Sequence, residues 1–220
     1  LGLRYLKKTI KQMDTNLGKV VLVKDINFGF YQGFSDNNDS QYANSIDPEG
    51  SSPSNLVEFK DKLYFTANNG ETGRELFVSD GTAEGTQLLV DLLPGKDNYG
   101  DNYSSFPDNM VEFNEKLYFS ANNGETGREL FVSDGTAEGT QLLADLRLED
   151  DNYGYSHDSY PDNLVECNGK LYFTADDGVH GNELFVSDGT TEGTQLLADL
   201  RPGDDNYGYS YDSYPDNLVE

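Results

Sequence analysis

The sequence predicts an all-β protein made of four-stranded antiparallel sheets, with one sheet for each copy of a 54-residue repeat. Three observations lead to this fold class: the fixed period, the four short apolar runs within each copy, and the Gly-rich reversals between the runs. The stretch ELFVSDGTAEGTQLL at 75–89 returns unchanged at 129–143 and with one substitution at 183–197. A period of this length is typical of repeat architectures, in which neighbouring units bury each other's apolar faces.

A proline that recurs every 54 residues, from Pro53 to Pro215, marks the boundaries between copies. KVVLVKDI at 19–26 matches the fourth apolar run of the later copies, and residues 1–13 are either a remnant of the same copy or a separate helix. We expect the chain to be an internal piece of a longer protein. The predicted segments are a degenerate half repeat with a polar loop insert (1–52), repeat 1 (53–106), repeat 2 (107–160), repeat 3 (161–214) and the start of a fourth repeat (215–220).

The first two runs of each copy predict a β-hairpin. In the first full copy they are NLVEF at 55–59 and KLYFTA at 62–67, which are rich in branched and aromatic residues. Only two residues separate the runs, and in the third copy these are Asn168 and Gly169. Asn-Gly favours a type I′ turn, because both of its central residues need a positive φ angle.

The third and fourth runs, ELFVS at 75–79 and TQLLVDL at 86–92, complete an antiparallel meander. A longer crossing at 94–108 then leads to the first run of the next copy, as in propellers built from four-stranded sheets. Leu76 and Val78 alternate with Phe77, so both faces of a sheet are apolar and we expect the sheets to stack face to face. The NLVEF strands are predicted to be innermost, in either a closed ring of about four sheets or an arc of a larger ring.

The repeat resembles the ELWxxDGT-repeat (hyalin-like repeat) family of bacterial surface and secreted proteins. The residues that carry the resemblance are ELFVSDGTAEGT and the surrounding LYFTANNGETGR, with Phe77, Phe131 and Phe185 in place of the family's Trp. The resemblance implies a propeller-like array outside the cell or at the cell surface, and it implies no established reaction.

The composition is strongly acidic, with 40 Asp and Glu against 15 Lys and Arg and a net charge of −25. This charge excludes nucleic acid and anionic membrane surfaces as partners. No apolar run approaches the ~20 residues of a membrane span, so we expect no membrane insertion. The expected partners are other surface proteins, glycans or copies of the chain itself.

The sequence suggests no catalytic residue. Cys167 stands where the other copies have Phe59 and Phe113, so it is expected to be an inert core residue. His157 and His180 are expected to be surface histidines, because neither has a nucleophile or a second His at a suitable spacing.

The recurrent acids of the repeat have structural interpretations. Asp80, Asp134 and Asp188 of the SDGT motifs are expected to accept backbone hydrogen bonds that shape a turn. The glutamates that begin the third runs are expected to be solvated or paired with Arg74 and Arg128; they are Glu75, Glu129 and Glu183.

The crossings offer two further interpretations. Their tyrosines, in DNYGYSHDSYPDN at 151–163 and the equivalent 205–217, suit sugar binding or packing between the sheets. Their acids and amides suit calcium, which prefers six to eight oxygen ligands in flexible geometry. The candidate calcium ligands are Asp97, Asn98 and Asp101; Asp151, Asn152 and Asp158; and Asp205, Asn206 and Asp212.

These observations favour a non-enzymatic extracellular module for structure or adhesion, stabilised by calcium. Two alternatives stay open: a carbohydrate-binding propeller module, and accessory repeats of a secreted enzyme whose catalytic part lies elsewhere.

Overall fold

The fold is all-β, as the sequence predicts. We describe it from a computed structural model, which places Lys24, Ile26 and residues 50–148, 158–204, 210–216 and 218. No helix occurs among these residues, and none of them forms a helical segment that is long and apolar enough to cross a membrane. The basic stretch at 1–13 lies outside the described residues, as does the predicted loop insert at 27–50 except for its last residue, Gly50.

Each full repeat forms one four-stranded antiparallel meander, and the strands are paired in chain order. The first strand follows the recurrent proline, and the fourth strand is the shortest. Sheet 1 contains β1 (Ser54–Phe59), β2 (Lys62–Asn68), β3 (Arg74–Ser79) and β4 (Gln87–Val90); sheet 2 contains β5 (Asp108–Phe113), β6 (Lys116–Asn122), β7 (Arg128–Ser133) and β8 (Gln141–Ala144); sheet 3 contains β9 (Asp162–Cys167), β10 (Lys170–Asp176), β11 (Asn182–Ser187) and β12 (Gln195–Ala198).

The hairpin turn predicted at Asn168–Gly169 is confirmed, because both residues have positive φ angles, of 52° and 73°. Lys60 and Asp61 adopt the same conformation in sheet 1, with φ angles of 49° and 58°. The pairing on both sides therefore imposes this turn even where no glycine is present.

The fourth strand is shorter than predicted. In sheet 1 it ends at Val90, whereas the apolar run continues to Leu92. The reason is a hydrogen bond outside the sheet: the backbone N–H of Leu92 donates to Glu75 Oε2 at 3.2 Å. A side chain thus takes the amide that a longer strand would use for pairing.

The sheets stack face to face, as the two apolar faces of each strand predict. Between sheets 1 and 2, Tyr64, Leu76 and Val78 pack against Phe119 and Phe131. The equivalent residues of sheets 2 and 3 form a second cluster of the same kind. The first strands β1, β5 and β9 lie next to one another, which gives the array its propeller-like arrangement.

A glycine makes each stacking contact possible. Gly135 of the second SDGT motif lies against sheet 1, and a Cβ atom there would be 2.6 Å from the Tyr64 hydroxyl. Gly189 has the same relation to Tyr118 of sheet 2. The Asp-Gly-Thr turn of one sheet therefore rests directly on an aromatic residue of the preceding sheet.

The N-terminal half repeat contributes at least one residue to the stack. Ile26 packs against Phe65, Ala67 and Phe77 on the outer face of sheet 1. This position agrees with the sequence alignment, which makes Ile26 the counterpart of Leu92, a residue that packs on sheet 2.

Candidate functional site

Two equivalent clefts lie between neighbouring sheets, beside the start of the first strands. The first cleft, between sheets 1 and 2, has a volume of about 470 Å³, and the second, between sheets 2 and 3, has about 510 Å³. Most of their lining residues correspond through the 54-residue repeat, and Asp108, Arg128 and Tyr160 line both clefts. The first cleft contains Asn55, Arg74, Phe106 and Asp108; the second contains Asn109, Asp162, Asn182 and Tyr214.

One exposed aromatic residue from each crossing borders the clefts. Phe106, Tyr160 and Tyr214 are 53%, 57% and 69% exposed. All three have positive φ angles, between 47° and 49°, a conformation that costs a bulky residue of the order of 1–3 kcal/mol. Such strain persists only where the surrounding structure maintains it, and residues of this kind are concentrated at binding sites.

Backbone contacts hold these aromatic residues in position. The N–H of Phe106 donates to the carbonyl of Arg74 at 3.1 Å, and the N–H of Tyr160 donates to that of Arg128 at 3.3 Å. The guanidinium of Arg128 donates two further hydrogen bonds, at 2.7 and 2.8 Å, to the carbonyl of Phe106. The crossing is thus attached to the third strands of the sheets on both of its sides.

The tyrosine hydroxyls have a dedicated partner. Asp158 accepts a hydrogen bond from the Tyr160 hydroxyl, which raises the phenol pKa, and it also accepts the N–H of Arg128 at 2.6 Å. Asp212 has the same two roles toward Tyr214 and the N–H of Asn182. In the first crossing Ser104 accepts the N–H of Arg74 at 2.9 Å, and the aromatic residue is Phe106, which has no hydroxyl. The acid therefore accompanies the tyrosine.

A buried glutamate of each sheet accepts hydrogen bonds from the crossing that follows that sheet. In sheet 1, Glu75 Oε1 accepts the N–H of Ser105 at 2.7 Å, and Oε2 accepts the Ser105 hydroxyl and the N–H of Leu92. Glu129 makes the same three contacts, with Ser159 and Leu146. We call this arrangement the glutamate bridge.

The expectation that these glutamates are solvated or paired with arginine is wrong. Glu75, Glu129 and Glu183 are each 0% exposed, because the crossing about 30 residues later in the chain covers them. Burial raises the pKa of Glu75 and of Glu129 to about 7, although the hydrogen bonds that they accept act in the opposite direction.

The SDGT aspartates shape turns, as predicted. Asp80 Oδ1 accepts the N–H of Thr82 at 2.9 Å and the Thr82 hydroxyl at 2.7 Å. Asp134 and Asp188 make the same contacts with the threonines two residues later. The threonine hydroxyl bond is the largest cause that lowers the pKa of each of these carboxyl groups.

Cys167 and His180 line neither cleft. Cys167 is half-buried, whereas its counterparts Phe59 and Phe113 are buried. His180 is also half-buried, with Nδ1 2.8 Å from Asp177 Oδ2, and this contact raises the imidazole pKa. His157 lies outside the described residues.

The predicted calcium ligands are only partly described. Asp97 accepts the N–H groups of Tyr99 and Asp101 within its own turn, and Asp158 and Asp212 serve the clefts. Within the described ranges, no three His, Cys, Asp or Glu side chains come together to hold a metal ion. Asn98 is exposed in the same turn as Asp97, and four predicted ligands lie outside the described residues: Asp151, Asn152, Asp205 and Asn206. Calcium binding stays a prediction.

Comparison with known proteins gives structural neighbours only. No protein-family model matches the sequence, and no curated protein matches it. The computationally designed protein Ika8 has 19% sequence identity and a TM-score of 0.35, over 69% of this chain and 37% of that one.

Two further solved structures are enzymes. An α-L-arabinofuranosidase from Clostridium thermocellum has 20% identity and a TM-score of 0.32, over 66% of this chain and 49% of that one. An endo-arabinase from Bacteroides thetaiotaomicron has 17% identity and a TM-score of 0.33, over 71% of this chain and 66% of that one. The chain thus spans less than two thirds of the length of each of these three structures.

Proposed function

We propose that the chain is a non-catalytic extracellular adhesion module that binds carbohydrate in the repeated clefts between its sheets. The observation that carries this proposal is the recurrence, 54 residues apart, of an exposed aromatic residue in a strained conformation. An aromatic residue needed only for packing would be buried.

The groups around the aromatic rings fit a sugar. A ring face provides apolar contact for the C–H groups of a pyranose, and amide, carboxylate and guanidinium groups exchange hydrogen bonds with its hydroxyls. The first cleft offers Asn55, Asp108 and Arg128 beside Phe106 and Tyr160. The second cleft offers Asn109, Asn163 and Asn182 beside Tyr160 and Tyr214.

The charge of the protein favours a neutral carbohydrate. Asp108, Asp162 and Asp216 line the second cleft together with Arg128, and the whole chain carries a net charge of −25. An acidic sugar would meet repulsion from the clefts and from the whole protein. Two adjoining clefts that share Tyr160 suit an extended chain better than a single monosaccharide.

The absence of catalysis is part of the proposal, and the positions of the acids support it. Glu75 and Glu129 have the raised pKa values of a general acid, but they are fully buried and bonded to the crossings. In the clefts, Asp108 and Asp162 each accept the N–H of the following asparagine. We therefore assign the cleft carboxylates to sugar binding rather than to acid–base chemistry.

A glycan array that contains matched neutral and acidic oligosaccharides tests the proposal. We expect retention of neutral oligosaccharides and little retention of acidic ones. Prolonged incubation with the bound oligosaccharide should release no shorter sugar in mass spectrometry. Failure to retain any neutral glycan would reject the binding function, and product release would reject the non-catalytic one.

The chain provides a matched control for this experiment. Tyr99 is 92% exposed on a crossing and lines neither cleft. Tyr99→Ala should bind like the parent protein, whereas Tyr160→Ala should lose retention. Equal loss in both variants would indicate general surface adhesion rather than binding in the clefts.

A further inference from the structure

Sheet 3 has an apolar face that the equivalent sheets bury. This open face consists of Cys167, Tyr172, Leu184, Leu197 and Leu200. Leu197 is 49% exposed, whereas its counterpart Leu143 in sheet 2 is 8% exposed. Leu200 is 57% exposed, whereas its counterpart Leu146 packs against the core.

The two junctions inside the chain show what covers such a face. On sheet 1 the covering residues are Leu117, Phe119, Ala121 and Phe131 of sheet 2. On sheet 2 they are the same four residue types, from sheet 3: Leu171, Phe173, Ala175 and Phe185. The open face continues this series of interfaces.

The glutamate bridge of sheet 3 is incomplete at the same place. Ser105 and Ser159 are each fixed from both sides, because their carbonyls accept the N–H groups of Asn122 and Asp176 at the end of the next sheet's second strand. Ser213 has no such contact among the described residues. Its N–H donates to the carbonyl of Asn182, whereas the Ser159 N–H donates both to the equivalent carbonyl of Arg128 and to Glu129 Oε1.

One oxygen of the buried glutamate shows the consequence. Glu183 Oε2 accepts the Ser213 hydroxyl at 2.6 Å and the N–H of Leu200 at 2.9 Å. Glu183 Oε1 is buried without a hydrogen-bond partner in the described part of the chain. The same oxygen accepts a serine N–H in sheets 1 and 2. A buried oxygen without a partner is unfavourable.

We propose that the open face binds one further sheet of this same repeat, joined directly to the crossing at 213–216. Such a sheet would cover Leu197 and Leu200, and the N–H at the end of its second strand would fix Ser213. The Ser213 N–H would then reach Glu183 Oε1, as the serines do in the other two bridges.

The equivalent sheet of a second protein molecule fits less well. The matching face of sheet 1 is already covered by Ile26, and Phe65, Ala67 and Phe77 are at most 4% exposed. The N–H of Asn68, which would have to fix Ser213, already donates to the carbonyl of Ser51 at 2.9 Å.

The single cysteine allows a direct test. Residues 215–220 repeat the start of a copy, so we would append a second copy of the sequence 113–160 after Glu220. This addition contains no cysteine, and Cys167 remains the single thiol. We expect thiol modification of Cys167 to slow at least ~10-fold, because its counterparts Phe59 and Phe113 are 1% and 3% exposed under a following sheet.

The extended chain with Leu197→Asp is the control, since a charge on the face should prevent docking and restore fast modification. A second readout is hydrogen exchange of the Ser213 amide, which should slow in the extended chain without the substitution. Unchanged rates for both probes in a folded extended chain would overturn the proposal. It would also be overturned if modification of the parent chain slowed with its own concentration as its mass doubled, because a second copy would then be the occupant.

Discussion

Sheets 2 and 3 have almost the same sequence, but they differ in burial. Leu130 is 0% exposed in sheet 2, while the equivalent Leu184 in sheet 3 is only half-buried. The difference lies in the neighbours: among the described residues, sheet 2 has a sheet on both faces, and sheet 3 has one on a single face. The stability of each sheet should therefore increase with the number of neighbouring sheets that it packs against, as expected for a one-dimensional stack.

The glutamate bridges should show the largest difference between the two sheets. Glu129→Ala removes three hydrogen bonds, from Ser159 and Leu146, and empties a buried position, so it should lower the free energy of unfolding by about 3–5 kcal/mol. Glu183→Ala should cost about half as much, because Glu183 has two such contacts and an oxygen without a partner among the described residues. Urea unfolding of both variants checks this order. Equal losses would mean that the following sheet does not strengthen the bridge.

The pH dependence of stability is a second test of the glutamate bridges. The folded-state pKa values of Glu75 and Glu129 are about 7, above the ordinary value of 4.5 that we expect in the unfolded chain. Their contribution to stability is therefore full below about pH 4.5 and decreases as the pH rises through 7. The slope is at most ~1.4 kcal/mol per pH unit for each group.

Glu129→Gln should remove about half of this pH dependence between pH 5 and 7, as measured by urea unfolding at each pH. Glu125→Gln is the matched control, because Glu125 is exposed in the same repeat. A slope that is unchanged in Glu129→Gln would show that Glu129 stays ionised in the fold. The general self-repulsion of the acidic chain would then account for the pH dependence.

Two glycines allow the energy of packing between neighbouring sheets to be measured separately from backbone strain. Gly81 and Gly135 have similar φ angles, of 88° and 93°, so alanine is strained at both positions. A Cβ at Gly135 would be 2.6 Å from the Tyr64 hydroxyl, whereas nothing lies within 4 Å of one at Gly81. Gly135→Ala should therefore cost about 1–3 kcal/mol more than Gly81→Ala in thermal unfolding. Equal costs would show that the Asp-Gly-Thr turn does not depend on the preceding sheet.

Calcium should have the smallest effect. If the crossings bind it, millimolar calcium should raise the melting temperature by a few degrees relative to chelator, and magnesium should have much less effect. Asp158→Ser is the informative variant, because Ser104 already accepts the equivalent backbone N–H in the first crossing. The variant should reduce the calcium effect. Identical melting curves of the parent protein in calcium and in chelator would exclude the site.

The repeat period and the local patterns predict much of this fold. The Asn168–Gly169 turn and the SDGT turn at Asp80 follow from chemistry within a few residues, and both are confirmed. Burial of Glu75 could not be read in this way, because its partner Ser105 is 30 residues away. A serine does recur at that distance in every copy, and this was the available signal.

The clefts were only partly predictable for a related reason. The sequence predicts that tyrosines of the crossings are candidates for sugar binding, but it does not show which of them are exposed. Tyr160 borders both clefts, whereas Tyr211 is half-buried and stacks with Arg201, whose guanidinium carbon is 4.5 Å from the ring centre. The recurrence of an acid two residues before each cleft tyrosine, and of a serine before Phe106, is visible in the sequence. Its meaning depends on the left-handed backbone conformation of the aromatic residue itself, which only the structure reveals.

The assignment of the clefts as the carbohydrate site is tested by the affinity for a neutral oligosaccharide. The affinity is measured for the parent protein and for three cleft variants. Tyr160 lines both clefts, whereas Phe106 and Tyr214 each line one. We expect Tyr160→Ala to raise the dissociation constant by at least ~10-fold, and Phe106→Ala and Tyr214→Ala each to raise it less. Undiminished binding by a folded Tyr160→Ala protein would contradict the assignment of the clefts as the carbohydrate site.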